Sequence, residues 1–182
     1  MRRTIAKALK LAAAGGTLAA IATTGFAETQ GTLGFTSTGD LNITMNVTDD
    51  LRISNLADIN FLDFAGADQT VTSPACVYRN GGAPNTDYTI TALGDGLGGT
   101  AFTITGAGSG FSIPYTVNYT DSNNTAPLTT GVAYTANGAV TTNNDCLGGD
   151  NGLISVTITN AAASSVPADA YSGVLTLTVG PV

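Results

Sequence analysis

The side chains able to do chemistry in this chain are carboxylates and two cysteines, because histidine is absent and both lysines, Lys7 and Lys10, fall in the first ten residues. Beyond them, neither the Ser/His and Cys/His nucleophile pairs nor a Ser/Lys pair can be built. Paired carboxylates of the kind that cleave glycosides need no other residue type. The acids, however, fall mainly in turn-like clusters such as Asp49-Asp50, Gly94-Asp95-Gly96 and Gly149-Asp150-Asn151, where turn geometry and solubility account for them. No catalytic residue is expected, and the chain is not read as an enzyme. Asp145, Asp150 and Asn151 could offer oxygen ligands to calcium, but no loop has a recognised ligand spacing. Two cysteines without histidine do not complete a structural zinc site. No metal and no cofactor is expected. The run Gly94-Asp95-Gly96-Leu97-Gly98-Gly99 lacks the Lys-Ser/Thr ending and following helix of a phosphate loop, and reads as a hairpin turn.

The cysteines are best understood with the start of the chain. Arg2, Arg3, Lys7 and Lys10 make a basic beginning, Leu11 to Ala22 an Ala-rich apolar stretch, and Gly25-Phe26-Ala27 small residues at a cleavage position. Residues 1–27 therefore read as a secretory signal peptide, its apolar run interrupted and too short for a membrane span. In a chain bound for an oxidising compartment, Cys76 and Cys146 are expected to form one disulfide. Closing a loop of that length stabilises a fold by about 4 kcal/mol on the chain-entropy view.

Without the signal, Arg52 and Arg79 stand against all 13 acids, a net charge of −11. Such a surface repels nucleic acid and anionic lipid. Its polar faces must be made from Thr, Ser, Asn and Gly.

The elements that hold these residues read as strands. From Thr32 to Val47 the odd positions run Leu33, Phe35, Ser37, Gly39, Leu41, Ile43, Met45, Val47 and the even ones are Thr, Gly, Asp or Asn. This period-2 alternation predicts one strand of about 50 Å, too long to be used up inside a small domain. Beyond a break at Thr48-Asp49-Asp50, Leu51 and Ile53, then Ile59, Phe61 and Phe64, predict two short strands or an extended edge. Ala75–Tyr78 predicts a compact strand, and residues 87–93 with Phe102 and Ile104 a hairpin. Ile113, Tyr115, Val117 and Tyr119 alternate through Pro114, which argues for an edge. Residues 121–152 read as a long connection pinned at Cys146, with a weak strand near Val132–Tyr134. Leu153–Thr159 alternates again, Ala161–Ala170 is a small-residue linker, and Tyr171 to Val179 closes the chain. Seven or eight short strands between turns predict an all-β, immunoglobulin-like β-sandwich; a jelly roll or open barrel fits the count as well.

The two ends carry a resemblance. Leu41-Asn-Ile-Thr-Met-Asn-Val is similar to the N-terminal donor strands of chaperone–usher pilins, of the colonisation-factor type or the archaic type related to spore coat protein U. Ala170-Tyr-Ser-Gly-Val-Leu-Thr-Leu-Thr-Val resembles their C-terminal strand. The resemblance implies an incomplete immunoglobulin-like domain lacking its last strand (residues 49–182) preceded by a donor-strand extension (residues 28–48). It implies an acceptor groove bordered by Tyr171, Leu175, Leu177 and Val179, and a donor drawn from Leu33, Phe35, Gly39, Leu41, Ile43, Met45 and Val47. Within that stretch Leu41 to Val47 is the favoured centre, with Leu33 to Gly39 the other choice. The implied partners are further copies of the chain, a periplasmic chaperone, an outer-membrane usher and a host or surface receptor. The implied location is a fimbrium on the surface of a Gram-negative bacterium, reached through the periplasm. Two other pilus types fit badly: the type IV route keeps its apolar helix after cleavage, and sortase-built pilins cross-link through lysine. A different class of reading is a self-complete secreted carbohydrate-binding or adhesin module, with Tyr88, Tyr115, Tyr119 or Tyr134 facing sugar.

Overall fold

A computed structural model describes residues 29–61, 63–64, 66–81 and 86–182; the signal-peptide reading, residues 1–27, lies outside the described residues, as does Glu28 at the start of the expected extension. The chain divides into two units between Met45 and Asn46.

In the first unit the predicted sixteen-residue strand does not form. Thr29 and Asp40 exchange backbone hydrogen bonds of 3.2 and 2.9 Å, closing a loop that bends through Leu33–Thr36. Alternation without a partner strand has no ladder to hold it extended. Gly39 sits close inside this loop, where a Cβ on it would stand 3.0 Å from the Thr29 carbonyl oxygen. Residues 41–50 have no regular secondary structure.

The second unit is all-β apart from short helical turns, and is an immunoglobulin-like sandwich. Its strands are β1 (Leu51–Ser54), β2 (Gln69–Arg79), β3 (Tyr88–Gly94), β4 (Thr103–Gly106), β5 (Ser112–Pro114), β6 (Thr116–Thr120), β7 (Thr125–Pro127), β8 (Tyr134–Ala136), β9 (Gly152–Ile158), β10 (Tyr171–Ser172) and β11 (Leu175–Pro181). They form a five-stranded sheet, β1-β2-β9-β6-β7, and two three-stranded sheets, β11-β3-β8 and β10-β4-β5, with every pairing antiparallel. Period-2 alternation in β3 and β9 turns Tyr88, Ile90, Ala92, Ile154, Val156 and Ile158 inward to one core with Val77, Val117 and Tyr119.

Several expectations are corrected here. The hairpin of residues 87–93 with Phe102 and Ile104 is not formed: β3 and β4 lie in different sheets. The glycine-rich run between them is a crossover in which the Gly94 and Gly96 amides donate to the carbonyls of Thr100 and Ala101. The run from Ile113 to Tyr119 breaks at Tyr115, so that β5 pairs with β4 while β6 pairs with β9. Residues 121–152 hold β7 and β8 as well as connection, and the linker contains one helical turn, α1 (Asn160–Ser164), capped by the Thr159 hydroxyl. The tyrosine face proposed for sugar is not on the surface: Tyr88, Tyr115 and Tyr119 are buried and Tyr134 is half-buried. The Tyr88 and Tyr119 hydroxyls lie 2.7 Å apart inside the core, and burial pushes both up in pKa.

Polar satisfaction without lysine takes three forms. Threonine pairs bridge exposed strand faces, as between Thr70 and Thr157 at 2.7 Å and Thr120 and Thr125 at 2.8 Å, where cross-strand pairs support the sheet. Asn151 is a hub: its side chain accepts from the Val77 amide at 2.7 Å and donates to the Val77 and Gly138 carbonyls, each at 2.8 Å. The one ion pair among the described residues joins Arg79, 3% exposed, to Asp49. The Arg79 guanidinium grips both carboxylate oxygens, at 2.9 and 2.5 Å, and also donates to the Asp87 carbonyl. That bidentate contact holds the Asp49 carboxyl below its ordinary range. Cys76 in β2 and Cys146 form the expected disulfide across a sequence separation of 70 residues.

Candidate functional site: an open strand edge beside an apolar cleft

The closing segment of the chain is built from two strands rather than one. Tyr171 and Ser172 pair with β4, after which the chain crosses at Gly173 to the other sheet and β11 pairs with β3. The crossing is crowded, since a Cβ at 173 would lie 2.9 Å from Asp95 Oδ1 and 3.1 Å from the Thr103 carbonyl oxygen.

The hydrogen-bond parity of β11 follows from its register. Leu175 stands opposite Gly94 and Pro181 opposite Tyr88, and the Asp95 amide donates to the Val174 carbonyl at 3.1 Å. In an antiparallel ladder, bonded and non-bonded pairs alternate. Val174, Thr176, Thr178 and Gly180 therefore bond to β3, whereas Leu175, Leu177 and Val179 turn their backbone N–H and C=O to the opposite edge. Two details agree with that parity. The Ala92 carbonyl, opposite Leu177, accepts from Gly131 on the β8 side, and a proline, which has no N–H to give, occupies the equivalent position 181. Among the described residues no strand pairs with this outer edge of β11.

Beside the edge lies an open cleft of about 810 Å³. Three parts of the second unit line it. The core strands give Ile154, Val156 and Ile158 of β9 with Ile104, Ile113 and Tyr115. The closing strands give Tyr171, Leu175 and Leu177. The irregular segment after β1 gives Leu56, Ile59, Phe61 and Phe64, so these apolar residues serve as cleft lining and not as the expected strand. Phe64 and Leu56 remain about half exposed. Asp58, Asp63 and Asp169 also reach the cleft. Asp169 fastens its surroundings: its carboxylate accepts from the amides of Gly108 at 2.9 Å, Ser109 at 2.6 Å and Ala170 at 2.8 Å. The bonds from Ser109, ahead of those from Ala170 and Gly108, lower its pKa to about 2.

Of the residues expected to border a groove, Tyr171, Leu175 and Leu177 line this cleft and Val179 does not, although Val179 packs against the core and shares their parity. The expected donor residues carry their apolar side chains in the open. Leu33 and Phe35 are fully exposed within the Thr29–Asp40 loop, while Leu41, Ile43, Met45 and Val47 are 71%, 88%, 87% and 62% exposed. The contributions of β9 and of Leu56–Phe64 were missed in the sequence. Ile154, Val156 and Ile158 read only as core, and the spacing of Ile59, Phe61 and Phe64 gives no face. Of the residues considered for calcium, Asp145 accepts from the Leu147 amide and Asp150 from Asn55, while the Asn151 side chain is spent on Val77 and Gly138.

No family model and no curated protein matches the chain. Among solved structures it is similar to a chain of a chaperone–tip adhesin complex from the biogenesis of CFA/I fimbriae, with 16% identity, a TM-score of 0.54 and 72% of this chain covered. It is also similar to a chain of the chaperone–tip adhesion subunit pre-assembly complex of archaic chaperone-usher Csu pili of Acinetobacter baumannii, with 18% identity, a TM-score of 0.43 and 74% of this chain covered. The match spans 41% and 40% of those chains respectively. The first likeness shows a shared fold.

Proposed function

We propose that this protein is a structural subunit of a surface pilus of the chaperone–usher kind, polymerised by donor-strand complementation and taking part in adhesion. One observation carries the reading: a single chain presents an exposed alternating segment, Leu41 to Val47, and an apolar cleft beside a strand edge with no partner among the described residues. Each is what the other lacks. A strand laid along β11 satisfies the outward backbone groups of Leu175, Leu177 and Val179 and sets every second side chain into the cleft. If Leu41, Ile43, Met45 and Val47 each bury at roughly 1.5–3 kcal/mol, the apolar term reaches about 6–12 kcal/mol before ordering costs.

The donor in this reading is Leu41 to Val47, because Leu33 to Gly39 lies in a loop already closed by the Thr29–Asp40 bonds. Residues 28–48 act as the extension and 49–182 as the receiving domain. The signal peptide takes the chain to the periplasm, a chaperone fills the cleft, an outer-membrane usher exchanges it for the next subunit's arm, and the fibre meets its receptor at the cell surface. The likeness in fold to a chain of a fimbrial chaperone–adhesin complex supports this reading.

The test is Met45→Asp in the secreting cell. The protein is expected to be exported in normal amount yet to give no filaments by negative-stain microscopy, because the arm then places a carboxylate in an apolar site. Unchanged filaments refute the proposal.

A further inference from the structure

We propose that Asn137 is a site of spontaneous covalent modification, at which the Gly138 amide nitrogen closes on the Asn137 side chain, expels ammonia and leaves aspartate or isoaspartate. The site shares no residue with the lining of the cleft. Three Asn-Gly pairs occur in the chain, Asn80-Gly81, Asn137-Gly138 and Asn151-Gly152. Glycine in the second place suits this ring closure, because it brings no Cβ to hinder the attacking nitrogen and leaves the backbone free to turn. The fold then treats the pairs differently. Asn80 gives its Nδ2 to the Thr48 carbonyl at 2.6 Å and accepts from the Asp50 amide at 2.8 Å. Asn151 spends both ends of its side chain on Val77 and Gly138, and Gly152 is fixed in the β9 ladder opposite Ala75. At Asn137, neither Nδ2 nor the following Gly138 amide has a hydrogen-bond partner among the described residues. Its Oδ1 accepts from two donors, the Ser122 hydroxyl at 2.8 Å and Asn123 Nδ2 at 2.6 Å.

That pattern fits the reaction. Attack of the Gly138 nitrogen on Asn137 Cγ turns Oδ1 into an oxyanion, and donors already aimed at that oxygen stabilise the charge as it develops. The amine is free to leave, since nothing holds Nδ2. In the first step an N–Cγ bond forms and the Cγ–Nδ2 bond breaks, while the proton lost by the Gly138 nitrogen departs with the amine as ammonia. Water then opens the cyclic imide. Cleavage at Cγ gives aspartate, and cleavage at the Asn137 backbone carbonyl gives isoaspartate, with the main chain rerouted through Cβ and Cγ. Water is the only further reactant, and both residues are half-buried, so it can reach them. The turn is pressed against one of its donors: Gly138 has a φ of +85°, and a Cβ on it would collide with the Ser122 side chain. Isoaspartate adds a backbone carbon at this crowded place, beside the Gly138 carbonyl that Asn151 holds.

The experiment ages the full chain at pH 8 and 37 °C, folded in buffer and unfolded in urea. Peptic digestion at low pH and mass spectrometry with electron-transfer fragmentation then read asparagine, aspartate and isoaspartate at each Asn-Gly pair. Each folded rate is divided by the rate of the same pair in urea, which removes the effect of local sequence. On that scale Asn137 is expected to convert at least about fivefold faster than Asn80 and Asn151, a margin equal to one hydrogen bond of ~1 kcal/mol. Ser122→Ala and Asn123→Ala each remove one donor to Oδ1, and each is expected to slow Asn137 about fivefold in the folded chain while changing nothing in urea. Slowing by either variant upholds the inference, so one that fails to fold leaves the other to decide. A scaled rate at Asn137 no higher than at the other two pairs overturns it, as does a rate that neither variant lowers.

Discussion

The parity of β11 gives a sharp mutational contrast between adjacent residues. Thr176 bonds to Leu93 in the β3 ladder and Leu177 does not, because its N–H faces the outer edge. Thr176→Pro removes the donor to the Leu93 carbonyl and leaves that group unpaired, at a cost of about 1–3 kcal/mol. For a unit of this size each kcal/mol lowers Tm by about 3–5 °C, so the free subunit is expected to melt roughly 4–12 °C lower. Leu177→Pro loses only a half-buried leucine from the free subunit, and Leu177→Ala measures that loss, about 1–2 kcal/mol. The two Leu177 variants are therefore expected to melt within about 3 °C of each other. They should part when a strand is offered. A peptide of residues 40–48 is expected to bind the proline variant about fivefold more weakly than the alanine variant, the equivalent of one ladder bond worth ~1 kcal/mol. Far-UV circular dichroism melts and peptide anisotropy on the same preparations give both readings. If Leu177→Pro melts far below Leu177→Ala while Thr176→Pro is benign, the outward N–H is already in use and the edge is not free.

Two further outcomes follow from polar groups that the fold consumes. Asn151→Ala removes three hydrogen bonds joining β2, the Gly138 turn and the start of β9, and is expected to cost about 2–4 kcal/mol in urea unfolding; a loss below about 0.5 kcal/mol would deny it the role of hub. Asp169 sits at about 2 in the folded chain against an ordinary 3.8, so below pH 4 the unfolded state takes up the proton first. Its contribution is present above about pH 4 and is lost as pH falls towards 2, and Asp169→Asn is expected to flatten the stability curve in that window, as read by midpoint urea concentration at half-unit steps.

What could be read from the residues depended on whether alternation had a partner in the same chain. Strands β3, β9 and β11 were legible because a buried face forces every second residue apolar. Most of β2 was not: Gln69 to Pro74 has only Val71 as an aliphatic side chain, and it is held by pairing with β9. The stretch Thr32 to Val47 shows the converse, with full alternation and no ladder of its own. The β3–β4 hairpin failed because hairpin signals report a turn, not the sheet to which the next strand belongs, and Gly94 to Gly99 is long enough to cross between sheets. As for the cleft, alternation in the closing strand singled out Leu175 and Leu177, which line it, whereas Phe61 and Phe64 read as strand residues and gave no sign that they would line it too. The break at Gly173 left no sign in the apolar pattern, since both halves keep the same period.

The enclosure of Arg79 bears on how the folded chain meets proteolysis. A trypsin-like protease needs an arginine or lysine in backbone it can draw out straight, and among the described residues only two arginines exist. Arg79 lies under the surface with its guanidinium fully engaged, and Arg52, though exposed, sits in β1 with its main chain committed to Tyr78. While the sandwich stays folded, the enzyme has no ready bond to cut, and digestion must wait on unfolding.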